Sequence, residues 1–445
     1  MTDTLIKNAR LVNEDSIVQG DLLISGQRIA RMDTHIPAEN VQVIDAMGKH
    51  LMPGMIDDQV HFREPGVTYK ADIATESRAA LAGGITSVME MPNTKPQTVS
   101  IEALEDKFAL AAGRAWANYA FYLGGTNDNV DQIRRLDPNQ TCGIKVFMGA
   151  STGNMLVDDP AILEQIFRDA PTLIATHCED TPTILANEEK YRAEFGEQIP
   201  MHLHPLIRSE EACWKSSSFA VELAQRHGTR LHVLHLTTAK ELQLFQAGPA
   251  ADKQFSAEAC VHHLFFDDED YAEKGSFIKC NPAIKTRRDR LALQQALVAD
   301  RLDLIGTDHA PHTLEEKQQS SYFKAPAGLP LVQHAVPMVL EMVHEQVMSL
   351  QQAVNKMCHA PAEIFKVHER GYLREGYFAD LVLLDLQQQQ TITREDVLYK
   401  CGWSPLEGRT LHSSISQTFV NGELKYDNGR FIGAANGERL KFNRS

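Results

Sequence analysis

The chain has 445 residues, of which 43% are hydrophobic and 23% charged, so it contains enough ordinary globular material to bury a large core. Its formal net charge of -15 argues against nucleic acid and anionic membranes as partners, and no apolar run is long enough to span a bilayer, although local arginines still allow an anionic substrate. The seven cysteines are odd in number and form no Cys-x-x-Cys pair, which predicts free thiols in a reducing cytoplasm.

Both ends of the chain have the character of short strands and turns. Residues 4–50 contain short apolar runs, with Ser25-Gly26 as a hairpin signal between two of them. The same pattern returns from about residue 370, where Asn421-Gly422 and Asn428-Gly429 are strong turn signals. Because neither end has enough strands to form a stable domain alone, we expect the two to pair into one small β-sandwich domain.

The middle of the chain alternates apolar strands with helix-length amphipathic segments. This rhythm predicts a parallel sheet, and the number of repeats favours a (β/α)8 TIM barrel. We therefore predict that residues 1–50 and 370–445 form the two parts of the β-sandwich domain and that residues 51–369 form the barrel. The predicted helices are 72–82, 101–112, 160–167, 216–227, 238–246 and 287–298.

The stretch from Pro53 to Gly66 carries an unusual set of polar residues. In an extended chain alternate side chains share a face, so Asp57, Gln59, His61 and Arg63 are expected on one side. An ordinary core strand would not place that set inside. The stretch is either the polar end of a strand or part of a pocket that offers a metal ligand and an anion clamp.

Other polar residues also fall at or near the ends of predicted barrel strands. A barrel builds its active site at the carboxyl ends of its strands, so we expect these residues to meet there. A lone histidine is more often structural, but several at strand ends with an aspartate favour a metal site. Nitrogen and oxygen donors without thiolate suit Zn²⁺ with an open position. The residues are His61, Asn93, Lys145, His177, His235 and Asp308.

Lys145 is flanked by apolar residues in Gly143-Ile-Lys-Val-Phe-Met. It either extends to the rim of the sheet or pairs with an acid, or burial lowers its pKa. A neutral amine can take up carbon dioxide and become a carbamate, whose two oxygens can bridge two metal ions.

Together these motifs resemble the dihydroorotases, which are cyclic amidohydrolases of the amidohydrolase superfamily. The resemblance extends from about residue 50 to 335, and the β domain formed by both termini is similar too. Each motif is weak alone, but the set is specific. The motifs are Val60-His-Phe-Arg-Glu-Pro-Gly, Met91-Pro-Asn-Thr, Gly143-Ile-Lys-Val-Phe, Thr176-His-Cys-Glu-Asp, Leu234-His-Leu-Thr-Thr, Asn281-Pro, Asp308-His-Ala-Pro-His and Ala325-Pro-Ala-Gly-Leu-Pro.

The resemblance implies reversible cyclisation of N-carbamoyl-L-aspartate to L-dihydroorotate, a step of pyrimidine synthesis. It implies one or two zinc ions, with Lys145 carboxylated and Asp308 as the catalytic base. The implied metal ligands are His177 and His235 for one ion, His61 and Asp308 for the other, and Lys145 between them. The implied substrate contacts are Arg63, Asn93, Asn281 and His312. The expected partner is the small-molecule substrate, and the expected assembly is a homodimer.

One position departs from the family pattern. The family has His-x-His where this chain has Gln59-Val-His61, and an amide oxygen is a weaker zinc ligand than imidazole. We therefore expect unequal metal sites, with the ion near His61 held more weakly.

Two other functions compete. Hydantoinases and dihydropyrimidinases share the scaffold but carry a tyrosine five residues after the bridging lysine, where this chain has Ala150. A catalytically silent homologue that is a structural partner of aspartate transcarbamoylase would lose metal ligands, and Gln59 is one such loss.

The polar segment 315–324 is either a mobile lid or a solvated loop, and we expect the loop.

Overall fold

The structure, a computed structural model, describes residues 3–149 and 153–444. The first strands form the edge of a terminal β-sheet, and Gly54 then separates this sheet from the barrel. A side chain at Gly54 would clash, because its Cβ would lie 2.1 Å from the Thr86 hydroxyl. The strands are β1 (Thr4–Asn13), β2 (Ser16–Ser25), β3 (Arg28–Asp33), β4 (Gln42–Asp45) and β5 (His50–Pro53).

Eight parallel strand positions close into a barrel. β8 and β9 share one position, interrupted at Tyr122, since β8 pairs with β7 and β9 with β10. A bridge between Val60 and His309 joins the first position to the last. The strands are β6 (Met55–Val60), β7 (Ile85–Glu90), β8 (Asn118–Phe121), β9 (Leu123–Gly124), β10 (Ile144–Phe147), β11 (Ile174–His177), β12 (Leu231–Val233), β13 (Phe255–Cys260) and β14 (Leu304–Gly306).

Helices fill the connections between these strands. Several start at side-chain caps; Asp72, Ser100 and Ser209, for example, each accept a hydrogen bond from a first-turn backbone N–H. The helices are α1 (Ile73–Ala82), α2 (Ile101–Ala111), α3 (Val130–Arg135), α4 (Pro160–Asp169), α5 (Thr181–Phe195), α6 (His204–Ile207), α7 (Glu210–His227), α8 (Val261–Phe265), α9 (Tyr271–Lys274), α10 (Arg287–Val298), α11 (Leu314–Lys317), α12 (Ala335–His344), α13 (Leu350–Val354) and α14 (Ala360–Phe365).

Five predicted helices are confirmed, four of them with ends shifted by at most two residues, whereas the helix predicted at 216–227 begins six residues earlier, at Glu210; the sixth prediction is wrong. Residues 238–246 contain only a short 3-10 helix, Glu241–Leu244. The reason is that the Glu241 carboxylate is drawn inward, where it accepts hydrogen bonds from Ser217 and Thr238. These contacts fix an irregular turn in place of a surface helix.

The carboxyl-terminal part of the chain completes the terminal sheet. β15 pairs antiparallel with β5, so strands from both ends of the sequence lie side by side around buried residues such as Leu51 and Leu383. The order in the sheet is β20-β19-β18-β15-β5-β1-β2-β3, with β4 beside β1, while β16 and β17 form a separate pair. The strands are β15 (Leu381–Asp385), β16 (Gln390–Thr391), β17 (Thr410–Leu411), β18 (Ser414–Val420), β19 (Glu423–Asp427) and β20 (Arg430–Phe431).

The predicted fold class, a barrel with a β element from both termini, is confirmed. The exact domain boundaries stay a prediction. All seven cysteines are free thiols, as expected. Within the described ranges, no helix combines the length and the apolar character that a bilayer crossing requires.

Candidate active site

One cavity of about 210 Å³ opens at the carboxyl ends of the barrel strands. It gathers the candidate metal ligands and substrate contacts that the sequence indicated, although these residues come from distant parts of the chain. Asp57 is the exception in its stretch, because its carboxylate turns away to accept hydrogen bonds from the Thr307 backbone and hydroxyl. The candidates that line the cavity are His61, Arg63, Asn93, Lys145, His177, His235, Asn281, Asp308 and His312, together with Gln59.

Lys145, His177 and His235, here called the lysine side, present nitrogen atoms that converge. Nδ1 of His177 lies 2.9 Å from Nε2 of His235. The Lys145 ammonium is fully buried beside the Phe147 ring and has no hydrogen-bond partner among the described residues. Burial lowers the pKa of Lys145 to about 8, although the charge of Asp308 opposes the shift. Three buried nitrogen donors thus face the same region of the cavity.

A carboxylate behind the lysine side fixes the orientation of His177. Oε2 of Glu179 lies 2.8 Å from Nε2 of His177, and the same carboxylate pairs with the Arg208 guanidinium. Burial would raise the pKa of Glu179, but Arg208 and His177 outweigh it and lower the pKa to about 2. The arrangement leaves Nδ1 of His177 aimed at the cavity, as in histidines that bind metals. Glu179 was missed as a functional residue, although it lies in the Thr176-His-Cys-Glu-Asp motif.

Gln59, His61 and Asp308, here called the aspartate side, are already paired with one another. Nε2 of His61 lies 3.0 Å from Oδ1 of Asp308, and the Gln59 amide donates to the same oxygen at 3.1 Å. Nδ1 of His61 lies 2.8 Å from Oδ1 of Asn93. Burial would raise the pKa of Asp308, but the bond and charge of His61 outweigh it and lower that pKa.

The orientation of the Gln59 amide follows from its neighbours. Its oxygen lies 3.8 Å from the Cys260 thiol, which is a donor, while its nitrogen faces the Asp308 carboxylate, which is an acceptor. The opposite orientation would bring two oxygens together. Gln59 therefore directs a donor, and not a ligand atom, at Asp308.

The far end of the cavity is cationic despite the acidic chain. Arg63 donates to the Pro311 carbonyl at 3.1 Å, and its Nη2 lies 3.2 Å from Nε2 of His312. The Lys70 ammonium lies 2.9 Å from Nδ1 of His312. Burial, reinforced by the Arg63 and Lys70 charges, lowers the pKa of His312 to about 3, so its imidazole is neutral near pH 7. This end suits a carboxylate.

Asn281 lines the cavity, and the segment 315–324 lies behind its cationic end. Oδ1 of Asn281 is buried and has no hydrogen-bond partner in the part of the chain that the structure describes. The segment 315–324 is not simply a solvated loop. Lys317 is fully buried and donates to the carbonyls of Pro326 and Gly328, and Glu316 pairs with Lys70 at 2.8 Å.

Comparison with known proteins identifies the family. A model described as Amidohydrolase family matches residues 50–425. The dihydroorotase of Halobacterium salinarum is 30% identical over 97% of this chain and 100% of its own length, and that of Staphylococcus aureus is 31% identical over 95% and 99%. The L-hydantoinase (dihydropyrimidinase) from Arthrobacter aurescens superposes with a TM-score of 0.93 at 27% identity, over 99% of this chain and 100% of that one.

The chain belongs to the amidohydrolase family, and it is a cyclic amidohydrolase. Ala150, the position that distinguishes hydantoinases in the sequence comparison, lies outside the described residues.

Proposed function

We propose that the protein is a zinc-dependent dihydroorotase, which interconverts N-carbamoyl-L-aspartate and L-dihydroorotate in pyrimidine synthesis. The observation that carries this proposal is that the lysine side, Asp308 and a carboxylate-binding end share one cavity. Relatives named dihydroorotase that match over nearly the whole chain support it. The partner of the enzyme is thus a small molecule with a carboxylate on its ring.

Arg63, Asn93 and His312 would bind and orient the substrate. The guanidinium is planar and can bind a carboxylate through two parallel hydrogen bonds. Nδ1 of neutral His312 accepts from the Lys70 ammonium, so its Nε2 carries the hydrogen and is the donor that a substrate carboxylate would meet in place of the Ala327 carbonyl. Asn93 supplies an amide beside His61. Asn281, whose Oδ1 lacks a partner among the described residues, would meet the ring.

The donor set fits a divalent metal ion. The Lys145 ammonium and Nδ1 of His235 are buried without hydrogen-bond partners in the described ranges, which is costly unless something else satisfies them. Lys145 as a carbamate, His177 and His235 would hold one zinc ion, and His61 and Asp308 would contribute to a weaker second position. Such an ion, when bound, polarises the amide carbonyl and activates water near neutral pH.

Asp308 would move the proton. It follows β14 with a positive φ of 47°, which turns its carboxylate into the cavity. In ring opening, the water oxygen bonds to the amide carbon and the carbon–nitrogen bond breaks. Asp308 takes the proton from water and gives it to the leaving nitrogen, so atoms and charges balance. His61, within hydrogen-bond distance, holds the carboxylate in position.

Substrate profiling of the purified protein tests this proposal. We expect turnover of L-dihydroorotate to exceed turnover of dihydrouracil and hydantoin, since only the first carries a carboxylate for Arg63. Hydantoinase activity is the second candidate, favoured by the similarity to the L-hydantoinase structure, and faster hydrolysis of hydantoin would establish it instead. No turnover of any of the three, with metal bound, would identify a silent homologue.

We also propose a cytoplasmic homodimer. Seven free cysteines are typical of a reducing compartment. Light scattering on the purified protein would measure the assembly, and a monomer mass would contradict this expectation.

A further inference from the structure

A second group of potential metal ligands lies inside the barrel, away from the cavity. Asp58, His232 and Glu258 come from β6, β12 and β13, and each has no exposed surface. Their ligand atoms all lie within 4.8 Å of one another. None of the three lines the active-site cavity, so they form a separate cluster.

The polar atoms of this cluster are unsatisfied. Both Asp58 carboxylate oxygens, Oε2 of Glu258 and Nε2 of His232 have no hydrogen-bond partner among the described residues. Nε2 of His232 lies 3.2 Å from Oδ2 of Asp58 and 4.0 Å from the Glu258 carboxylate, outside hydrogen-bond geometry. Burial would lower the pKa of His232, but Asp58 and Glu258 outweigh it and raise that pKa to about 9, so without a metal ion an imidazolium lies between the two acids. Buried carboxylates that only lie side by side repel each other unless a cation or protons lie between them.

The remaining contacts of the cluster direct these atoms inward. Nδ1 of His232 is occupied by the Ser256 hydroxyl at 2.8 Å, which leaves Nε2 for the cluster. Oε1 of Glu258 accepts from the His235 backbone N–H at 2.9 Å, which leaves Oε2. His232 and Glu258 are therefore each anchored through one atom and present the other, as metal ligands with supporting contacts do, while both Asp58 oxygens face the cluster without a partner among the described residues.

A glycine of the neighbouring strand lies against the cluster. β14 passes the cluster at Gly306, where a Cβ would lie 2.6 Å from Oε2 of Glu258 and 3.0 Å from Oδ1 of Asp58. A side chain there would fill the volume between the carboxylates. Glycine at this position therefore lets both carboxylates lie close against the β14 backbone.

We propose that Asp58, His232 and Glu258 bind a divalent first-row metal ion, with zinc as the reference case, as a structural site separate from the catalytic cavity. Zinc with nitrogen and oxygen ligands at about 2.0–2.2 Å brings those ligands to about 3.3 Å from one another. The separation of Asp58 and His232 already matches, and Glu258, at 4.0 Å from His232, needs to move closer. Two carboxylates and a neutral imidazole balance the charge of the ion.

The position of the proposed ion suggests that it stabilises strands that lead into the cavity. Asp58 and His232 lie on β6 and β12 and precede His61 and His235, which follow the ends of these strands, by three residues, at most about 10 Å of extended chain. The ion would therefore fix the strands that carry two cavity histidines. Because its ligands are fully buried, it would exchange slowly, whereas cavity ions are open to solvent.

The direct test is anomalous diffraction at the zinc edge from crystals of the wild-type chain expressed with zinc. We expect a peak between Asp58, His232 and Glu258, distinct from any peak in the cavity, and we expect it to survive dialysis against EDTA. Anomalous peaks confined to the cavity, or none at all, would overturn the proposal and leave a network held together by shared protons.

Metal analysis of variants gives a second test in solution. After EDTA dialysis, the wild type should retain one zinc ion per chain and Asp58→Asn should retain none. Glu241→Gln is the matched control, because Glu241 is a buried carboxylate with both oxygens hydrogen-bonded to hydroxyls. It should retain the ion. If Asp58→Asn also retained the zinc ion, the proposed site would be contradicted. If that variant does not fold, the anomalous map of the wild type tests the proposal instead.

Discussion

The two sides of the cavity differ in how their donor atoms are occupied. On the lysine side, Lys145 and Nδ1 of His235 lack partners among the described residues, and His177 is braced by Glu179. On the aspartate side, His61 and Gln59 both contact Asp308, and the glutamine presents a donor to it. A divalent ion on the lysine side would have to displace only the contact between His177 and His235. On the aspartate side it would have to displace the contacts that both His61 and Gln59 make with Asp308. If the proposed metal site is right, the glutamine at position 59 would lower the number of tightly bound ions while the proposed base, Asp308, is retained.

The largest expected effect is at Lys145. Lys145→Ala should abolish turnover of dihydroorotate and lower the metal content, because the lysine side would lose its central donor. Short-chain carboxylic acids should partly restore activity by occupying the place of the carbamate. Lys356→Ala is the matched control, since Lys356 is also buried but pairs with Asp300 at 2.8 Å, outside the cavity. Full activity of Lys145→Ala would show that this lysine is only structural.

Asp308→Asn should reduce kcat by about 10²–10⁴-fold, the usual contribution of a positioned acid–base group. The amide keeps the size of the side chain but cannot take up a proton. Because Asp308 is also a proposed ligand, metal content has to be measured on the same sample. Unchanged metal with near-normal turnover would remove Asp308 from the proton transfer.

Glu179→Gln tests the support of the lysine side. Loss of a carboxylate behind a metal-binding histidine typically reduces metal affinity by about 10–100-fold. We expect this weakening in a competition titration with a chromophoric chelator, together with normal turnover at saturating zinc. Glu164→Gln is the control, since Glu164 contacts His227 at 2.6 Å on the surface of the barrel. Equal zinc affinity in Glu179→Gln and the wild type would disprove the supporting role.

Arg63→Lys should raise KM for dihydroorotate by about tenfold, the loss of one charge-assisted hydrogen bond, because lysine cannot make the bidentate contact. The metal content should stay the same, because Arg63 lies at the other end of the cavity. An unchanged KM would remove Arg63 from substrate binding.

The sequence alone was enough to predict the barrel and to predict which residues line the cavity. Strand-end polar residues predict a common site because parallel strands bring their carboxyl ends together. It was not enough where contacts between distant residues determine the local structure or the burial of a side chain. The inward carboxylate of Glu241 removes a predicted helix, and burial of Lys317 anchors a segment that looks solvated. Glu179 and Asp58 could not be assigned, since their roles depend on neighbours from other strands and loops.

Zinc titration of the chelated protein, with dihydroorotate turnover measured at each addition, tests the central claim most directly. Any ion in the barrel interior survives chelation and does not enter the count. We predict one tight site that brings full activity and a second, much weaker site, whose affinity rises in Gln59→His. Two sites of equal, high affinity in the wild type, both needed for turnover, would contradict the proposed difference between the lysine side and the aspartate side.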